Sequence, residues 1–395
     1  MIRLYRLGRL LDRDHTTCLL MESAKLKSDI RPENRNSSLS MVRSNLNLPI
    51  PRSLLTMGLV FCVLVLCVVP LWSRLMSPPS MADVRALAEQ APIVFRGRVA
   101  EVRAFGVKPH HTIALDLIAK IEVDRLYRGK AGSHASVYFA YGGLPTGTNG
   151  HYCIDFQPDT YWLVFAVEKN GRLELFDDCE GALAISSRLG SNLKDGSWLA
   201  QMEADFLSGL DDCDPAARIV SMQRLGGLKL PSSRDALHRV IAGGDKSQAN
   251  WAVYAALRTG DISVLPRVKE MLSAGDLRSP EREIAFELQN ISDRKAVPDL
   301  IAILESATGD LTPSRVLIAL AEKTKDPRSV PTLAAHLSDS REGSQYLSLE
   351  GLKSITHETA CTLPDEPNAQ SVERQTRLCK TWWEAKGKFQ AWTQN

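Results

Sequence analysis

Three hydrophobic periods succeed one another along the chain. Across residues 54–72 the apolar positions are continuous, reading LLTMGLVFCVLVLCVVPLW without a charge. Nineteen residues of helix span about 28 Å, close to a bilayer core, so this run predicts a transmembrane helix. After a short helical pattern, ADVRALAEQA, the period changes to alternation. Residues 93–102, 112–127, 135–140, 161–168 and 172–177 are rich in β-branched and aromatic side chains and alternate over much of their length. They predict five strands. A long loop, GGLPTGTNGHYCIDFQPD, separates the third strand from the fourth. A linking helix over 198–207 then opens a region of helical period.

The helical region repeats itself. An aspartate is followed five residues later by a proline three times, as Asp261/Pro266, Asp293/Pro298 and Asp326/Pro331, with 32 and then 33 residues between copies. A fixed period of this size marks a solenoid of helix pairs. The second helices carry apolar stripes at Leu265, Val268 and Leu272, then Val297, Leu300, Ile301 and Leu304, then Val330, Leu333, Ala334 and Leu337. The first helices carry Trp251, Tyr254 and Leu257, then Ile284, Leu288 and Ile291, then Leu317, Leu320 and Ala321. Each set gives one apolar face. The aspartates fall in the turns, where a short carboxylate accepts from unpaired backbone N–H groups. The prolines fall near the start of the second helix, where a missing N–H costs nothing. Both residues have structural work without any catalytic role. About four and a half copies are visible, the first over 214–244 with Asp235 in place of the proline. The tail, with Trp382, Trp383 and Trp392, reads as a cap over the last layer.

Five strands in about a hundred residues suit a small closed barrel, which leaves no exposed edges; a two-sheet sandwich is the alternative, for which five strands are few. Residues 82–185 resemble the bacterial netrin/TIMP-like modules. The likeness rests on the opening helix followed by Ala91-Pro92-Ile93-Val94-Phe95-Arg96-Gly97-Arg98-Val99, on Ile121-Glu122-Val123 with Leu126-Tyr127-Arg128-Gly129, on Cys153 with Tyr161-Trp162-Leu163-Val164-Phe165-Ala166, and on Cys179 ahead of Gly181. It implies an OB-type barrel over roughly a quarter of the chain. The helical block resembles HEAT-like repeats, which implies a stacked solenoid with a long concave surface. In the inhibitor branch of the TIMP family a Cys-x-Cys opens the domain, and the first cysteine's amine and carbonyl clamp a protease zinc. Here that region reads MSPPSMADV, without cysteine. Inhibition by that route therefore lacks its ligands, and Cys153 and Cys179 are left to pair with each other.

The expected fold is thus multidomain, β plus α. Residues 1–53 form a polar cytoplasmic tail or an over-long start, with initiation at Met41 as the alternative. Residues 54–72 form a signal anchor, 82–185 a small OB-like β-barrel, 186–212 a linking helix, 213–360 a HEAT-like α-solenoid and 361–395 a C-terminal cap. Residues 1–53 hold ten Lys/Arg against five Asp/Glu, which places the N-terminus in the cytoplasm and the bulk of the chain outside. Ser80-Met81-Ala82 lies too far past the apolar run for a signal-peptide cleavage site, which favours an uncleaved anchor. An extracytoplasmic compartment permits disulfides. Beyond the anchor lie Cys153, Cys179, Cys213, Cys361 and Cys379, none at C-x-x-C spacing. The expected pairs are Cys153–Cys179 and Cys361–Cys379, each within one domain, with Cys213 unpaired. Spacing alone leaves the connectivity open.

A search for chemistry finds near misses. His357-Glu358-Thr359-Ala360-Cys361 has a cysteine where a zinc-binding H-E-x-x-H needs its second imidazole, and reads as a loop. Gly142, Gly143, Gly147 and Gly150 precede no Gly-Lys-Ser/Thr. His110, His111 and His151, with Cys153 or Asp155, show no ligand spacing. Asp177-Asp178 and Asp211-Asp212 are adjacent in sequence and read as turn residues. A net charge of +2 gives no footprint for nucleic acid. The expectation is a non-catalytic, cofactor-free binding or scaffolding protein, anchored through residues 54–72 and contacting another protein at the cell envelope. The helical face would be its main surface, and barrel loops 105–112 and 141–160 its second. Two alternatives stand beside it, a protease inhibitor acting through the barrel and an enzyme with its site between barrel and solenoid.

Overall fold

The computed structural model describes residues 82–107, 114–142, 154–177, 180–193, 196–273, 280–307, 311–341 and 343–392. The chain divides into two units at residue 78, and the described residues belong to the second, Pro79–Asn395. The expected anchor over 54–72 lies outside the described residues. Among the described residues no helix is long and apolar enough to cross a membrane.

A short helix, α1 (Val84–Gln90), leads into the strands, its first turn capped by the Asp83 carboxylate, which accepts from Ala86 N–H. Strands β1 (Ile93–Val107), β2 (Ala114–Arg128), β3 (His134–Gly142), β4 (Tyr161–Lys169) and β5 (Arg172–Leu175) match the five alternating segments. They close in the order β1-β2-β3-β5-β4 and back to β1, and β3 and β5 run parallel. A sixth strand, β6 (Ala182–Ile185), continues beyond β5 along β4. The period-2 reading does not single it out, because four residues are too few to show alternation.

Period 2 also explains why β4 reads as an almost unbroken apolar run. Its side chains are buried on both faces. Phe95, Val164, Ala166 and Ala182 point into the barrel with Ile121, Val137 and Phe156. Val94, Leu163, Phe165, Leu183 and Ile185 point the other way and join the core of the helices. The barrel and the helical stack therefore share β1, β4 and β6 as a common wall.

Helix α2 (Trp198–Ser208) crosses to the stack. Five helix pairs follow, α3 (Pro215–Leu228) with α4 (Arg234–Gly243), α5 (Lys246–Arg258) with α6 (Leu265–Leu272), α7 (Glu281–Leu288) with α8 (Val297–Ser306), α9 (Leu311–Ile318) with α10 (Val330–His336), and α11 (Ser344–Thr356) with α12 (Ala369–Ala385). Within each pair a single 3₁₀ turn precedes the second helix, and these turns begin at residues 231, 262, 294, 327 and 359. Asp261, Asp293 and Asp326 cap three of them, accepting from the N–H groups of Ser263, Lys295 and Arg328. Pro266, Pro298 and Pro331 occupy the first turn of the helix that follows. The segment around His357, expected as a loop, is a fifth copy. Glu358 accepts from Ala360 N–H and opens the turn Thr359–Cys361. The expected stripes are buried except Ile301, which is half-buried while Ile303 takes the inward place. Helix α9 ends in a π turn, Ala319–Thr324.

Cys361 and Cys379 are bonded, with Cα atoms 4.7 Å apart, and tie the last turn to α12. Cys213, expected to be unpaired, is disulfide-bonded as well. Its partner lies outside the described residues, as do Cys153 and Cys179, so the expected Cys153–Cys179 pair is not described. The expectation confined each bond to one domain, whereas Cys213 stands where the stack meets the barrel wall. Asp212, its neighbour, accepts from the Ser186 hydroxyl at the end of β6, so the start of the stack lies beside the barrel wall.

Candidate functional site

The wall between barrel and helices carries charge as well as oil. Residue 96 follows Val94 on the helix-facing side of β1, and an arginine occupies it at 1% exposure. Its guanidinium donates to the carbonyls of Ser186, Ser187 and Arg188, which lead away from β6. Asp124 stands 3.8 Å from its Nε. Burial leaves Asp124 above its ordinary value, with Arg96 opposing.

Further along β2, Arg125 and Tyr127 reach α2 and meet one carboxylate. Asp205 accepts from Arg125 Nη1 at 2.7 Å, from the Tyr127 hydroxyl at 2.6 Å and from Gly190 N–H at 2.8 Å. The Asp205 side chain is fully shielded from solvent. Burial, and then the negative Asp205, pushes the Tyr127 hydroxyl well above its ordinary value. The three donors join β2 and the segment after β6 to α2 through one carboxylate. This is a structural clasp.

A second charged group lies under the chain's entry. Arg224 on α3 donates to Ala184 O of β6. Burial, and then the neighbouring Arg258, lowers Arg224 to about 10. Arg258 on α5 donates to Ala82 O and pairs with Glu287 on α7 at 3.2 Å. Burial raises Tyr254 to about 12. Gly227 lets this entry segment lie against α3, since a Cβ there would stand 2.5 Å from Val84 and 3.0 Å from Ala82 O. Asp83 is anchored to Lys229 at 2.5 Å. Its carboxyl is below its ordinary value, because the hydrogen bonds from Lys229 and Ala86 outweigh the opposing cost of burial.

The repeat turns bring together one more suggestive group. His238 Nε2 lies 2.7 Å from Asp261 Oδ2, and the Ser263 hydroxyl is beside both. A nucleophilic triad needs the imidazole between serine and carboxylate. Here Ser263 Oγ donates to Asp261 Oδ1 at 2.7 Å and is 3.5 Å from the imidazole. The group is a cap reinforced from the preceding repeat. The other candidates disperse. Asp211 is exposed while Asp212 is buried on Ser186. Asp177 accepts from Glu180 N–H in a turn. His110, His111, His151, Cys153, Gly143, Gly147, Gly150 and Asp178 lie outside the described residues, and Asp155 is exposed. Among the described residues no group of three His, Cys, Asp or Glu is placed to hold a metal ion.

A third feature lies on the first helices beyond the barrel. Phe286 on α7 is half-buried and belongs to neither hydrophobic core. Arg315 on α9 covers its ring at 4.5 Å from the centroid, and Arg282 approaches at 5.9 Å. Arg315 Nη1 donates to Gln289 Oε1 at 2.6 Å, which fixes the stack across two repeats. Sequence reading misses this group because the ring and its covering guanidinium are on different helices, and Phe286 falls off the apolar stripe. Comparison with protein-family models finds no match, and comparison with curated proteins finds none.

Proposed function

We propose that this chain is an extracytoplasmic binding or scaffolding protein, anchored through residues 54–72, that holds another protein without catalysis. The observation that carries the reading is the economy of the buried charges. Asp205, the most shielded carboxylate of the wall, accepts from Arg125, Tyr127 and Gly190, which favours a structural use of the charge buried there. The helix pairs, with a 3₁₀ turn in each copy and a side-chain cap on four of the five, favour the HEAT-like reading of the stack. The closed strand order with β3 parallel to β5 favours the OB-type reading of the barrel. Every cysteine among the described residues is disulfide-bonded, which suits an oxidising compartment. Protease inhibition in the TIMP manner needs a free amine and carbonyl at the start of the module. Ala82 is buried and its carbonyl accepts from Arg258, which speaks against it.

Crosslinking in intact cells, followed by mass spectrometry, tests the reading. Crosslinks from helical residues to a second protein are expected. Recovery of folded, disulfide-bonded chain with no protein neighbour would overturn it.

A further inference from the structure

Helix α12 covers the end of the stack, and its outward face is apolar along the middle. Thr376, Cys379 and Trp382 are buried, while Leu378, Thr381 and Ala385, three and four residues apart on another face, are exposed. The chain then passes through the 3₁₀ turn Gly387–Phe389. Phe389 is 75% exposed, more than any other large hydrophobic side chain among the described residues. Its turn is held in place. A Cβ on Gly387 would stand 2.5 Å from the Trp383 ring and 3.1 Å from the Trp382 ring, and Gly387 O accepts from the Trp392 indole. Lys388 Nζ lies 5.3 Å from the centre of the Phe389 ring and also pairs with Glu384. One ammonium thus ties the ring to the outward face of α12. Scattered apolar residues are normal on a surface, whereas a fixed ring joined to an apolar helical face marks a contact site.

The charge around this face is of one sign. From residue 373 to 389 the cations are Arg374, Arg377, Lys380, Lys386 and Lys388, against Glu373 and Glu384. Arg377 and Lys388 take the two carboxylates. Arg374, Lys380 and Lys386 have no carboxylate partner among the described residues. Helix α11 adds Glu350 and Lys353, one of each sign. Asp365 and Glu366 precede α12, and its seventeen residues put about 25 Å between them and the turn at Phe389. An apolar strip rimmed by lysines fits the boundary of a bilayer, where a ring and a leucine enter the interface while ammonium groups reach the headgroups. A second copy of this chain would set like charge against like.

We infer that the outward face of α12 and the turn Gly387–Phe389 dock on an anionic lipid surface, with Leu378 and Phe389 at the interface and Lys380 and Lys386 on headgroup phosphates. The inference rests on the anchored reading, which supplies the bilayer, and goes beyond it by adding a second membrane contact.

The test uses the full chain reconstituted in vesicles of phosphatidylcholine with or without phosphatidylglycerol, each in ordinary and brominated form. Phe389→Trp adds one indole at the exposed position, and subtracting the wild-type spectrum isolates its emission. That emission should be blue-shifted and quenched by brominated phosphatidylglycerol, and the quenching should fall as salt is raised. Lys380→Glu/Lys386→Glu in the same background should weaken docking about fivefold or more for each lysine lost. Matching circular dichroism separates this from unfolding. Emission unquenched by either lipid, quenched equally by neutral vesicles, or unchanged by the lysine substitutions overturns the surface. A photo-crosslinker at residue 389 that labels a protein and no lipid in intact cells assigns the face to a protein partner and overturns it too. Release of the chain from membranes by alkaline carbonate sinks the anchored reading. Flotation of the released chain with phosphatidylglycerol vesicles then decides the surface alone: binding by wild type that is lost in Phe389→Asp supports it, and any other result overturns it.

Discussion

Each charge buried in the wall between barrel and helices gives up water, and Asp205 shows how that loss is offset. Its three donors come from β2 and from the segment leaving β6, so one carboxylate fixes three pieces of chain. Asp205→Ala strands Arg125 and Tyr127 in a place that cannot hydrate them. Breaking a buried pair by removing one partner costs about 3–5 kcal/mol, and a urea midpoint lowered to that extent is expected. A change below about 1 kcal/mol would mean that water replaces the carboxylate. Acid should act through other aspartates. The Arg328 side chain holds Asp326 below its ordinary value, and Arg341 holds Asp339 far below. A depressed folded-state value gives stability that is present above the unfolded value, near 4, and is lost as pH falls through the folded one. The urea midpoint should therefore be level with respect to these groups from pH 7 to 5 and drop below about pH 4, and Asp339→Asn should soften that drop.

At the scale of the element, the turns and the strands obey different constraints. Asp293 is exposed and does one thing, accepting from Lys295 N–H. Asp293→Ala should cost about 1 kcal/mol, the usual loss for a cap, read as a small fall in melting temperature. Gly97 in β1 is far less tolerant. A Cβ there would lie 2.2 Å from Glu122 O on the paired strand, at a place where the β1–β2 register shifts. Gly97→Ala has to push backbone apart, which exceeds the usual 1–3 kcal/mol of side-chain overpacking, and tryptophan fluorescence from Trp162 should report an opened barrel. The contrast explains what the sequence could show. Asp261/Pro266 and its two echoes are legible because capping and proline placement are local, decided within six residues. The fifth turn hides because glutamate replaces aspartate at 358 and the later proline does not keep the spacing. The Asp205 clasp is illegible because Arg125 lies 80 residues away, and no local period announces such a pair. The Arg315–Phe286 stack escapes for the same reason, since ring and guanidinium occupy separate repeats.

In the whole molecule the stack is one continuous core, running from Val84 and the outer face of the barrel to Cys379 and Trp382. Helix pairs stacked in this way are stabilised by contacts between neighbouring pairs, so the exposed end of the stack needs a cap. The barrel closes one end by sharing β1, β4 and β6. The other end depends on α12, which contributes Thr376, Cys379 and Trp382 to the interior and is held to the last turn by the Cys361–Cys379 bond. That bond closes a loop of 18 residues, and in the chain-entropy model such a loop is worth about 3 kcal/mol. The loss should be felt unevenly. In Cys361→Ser/Cys379→Ser, α12 no longer has its covalent tie, while the barrel wall and the first three pairs keep every contact described above. Hydrogen exchange should therefore quicken over residues 359–392 first, spread next into α11 and α10, and leave β1, β4 and α3 near their wild-type rates. A uniform rise across barrel and stack would show instead that the molecule opens in one step, and that the cap contributes to a single cooperative unit and does not merely cover its end.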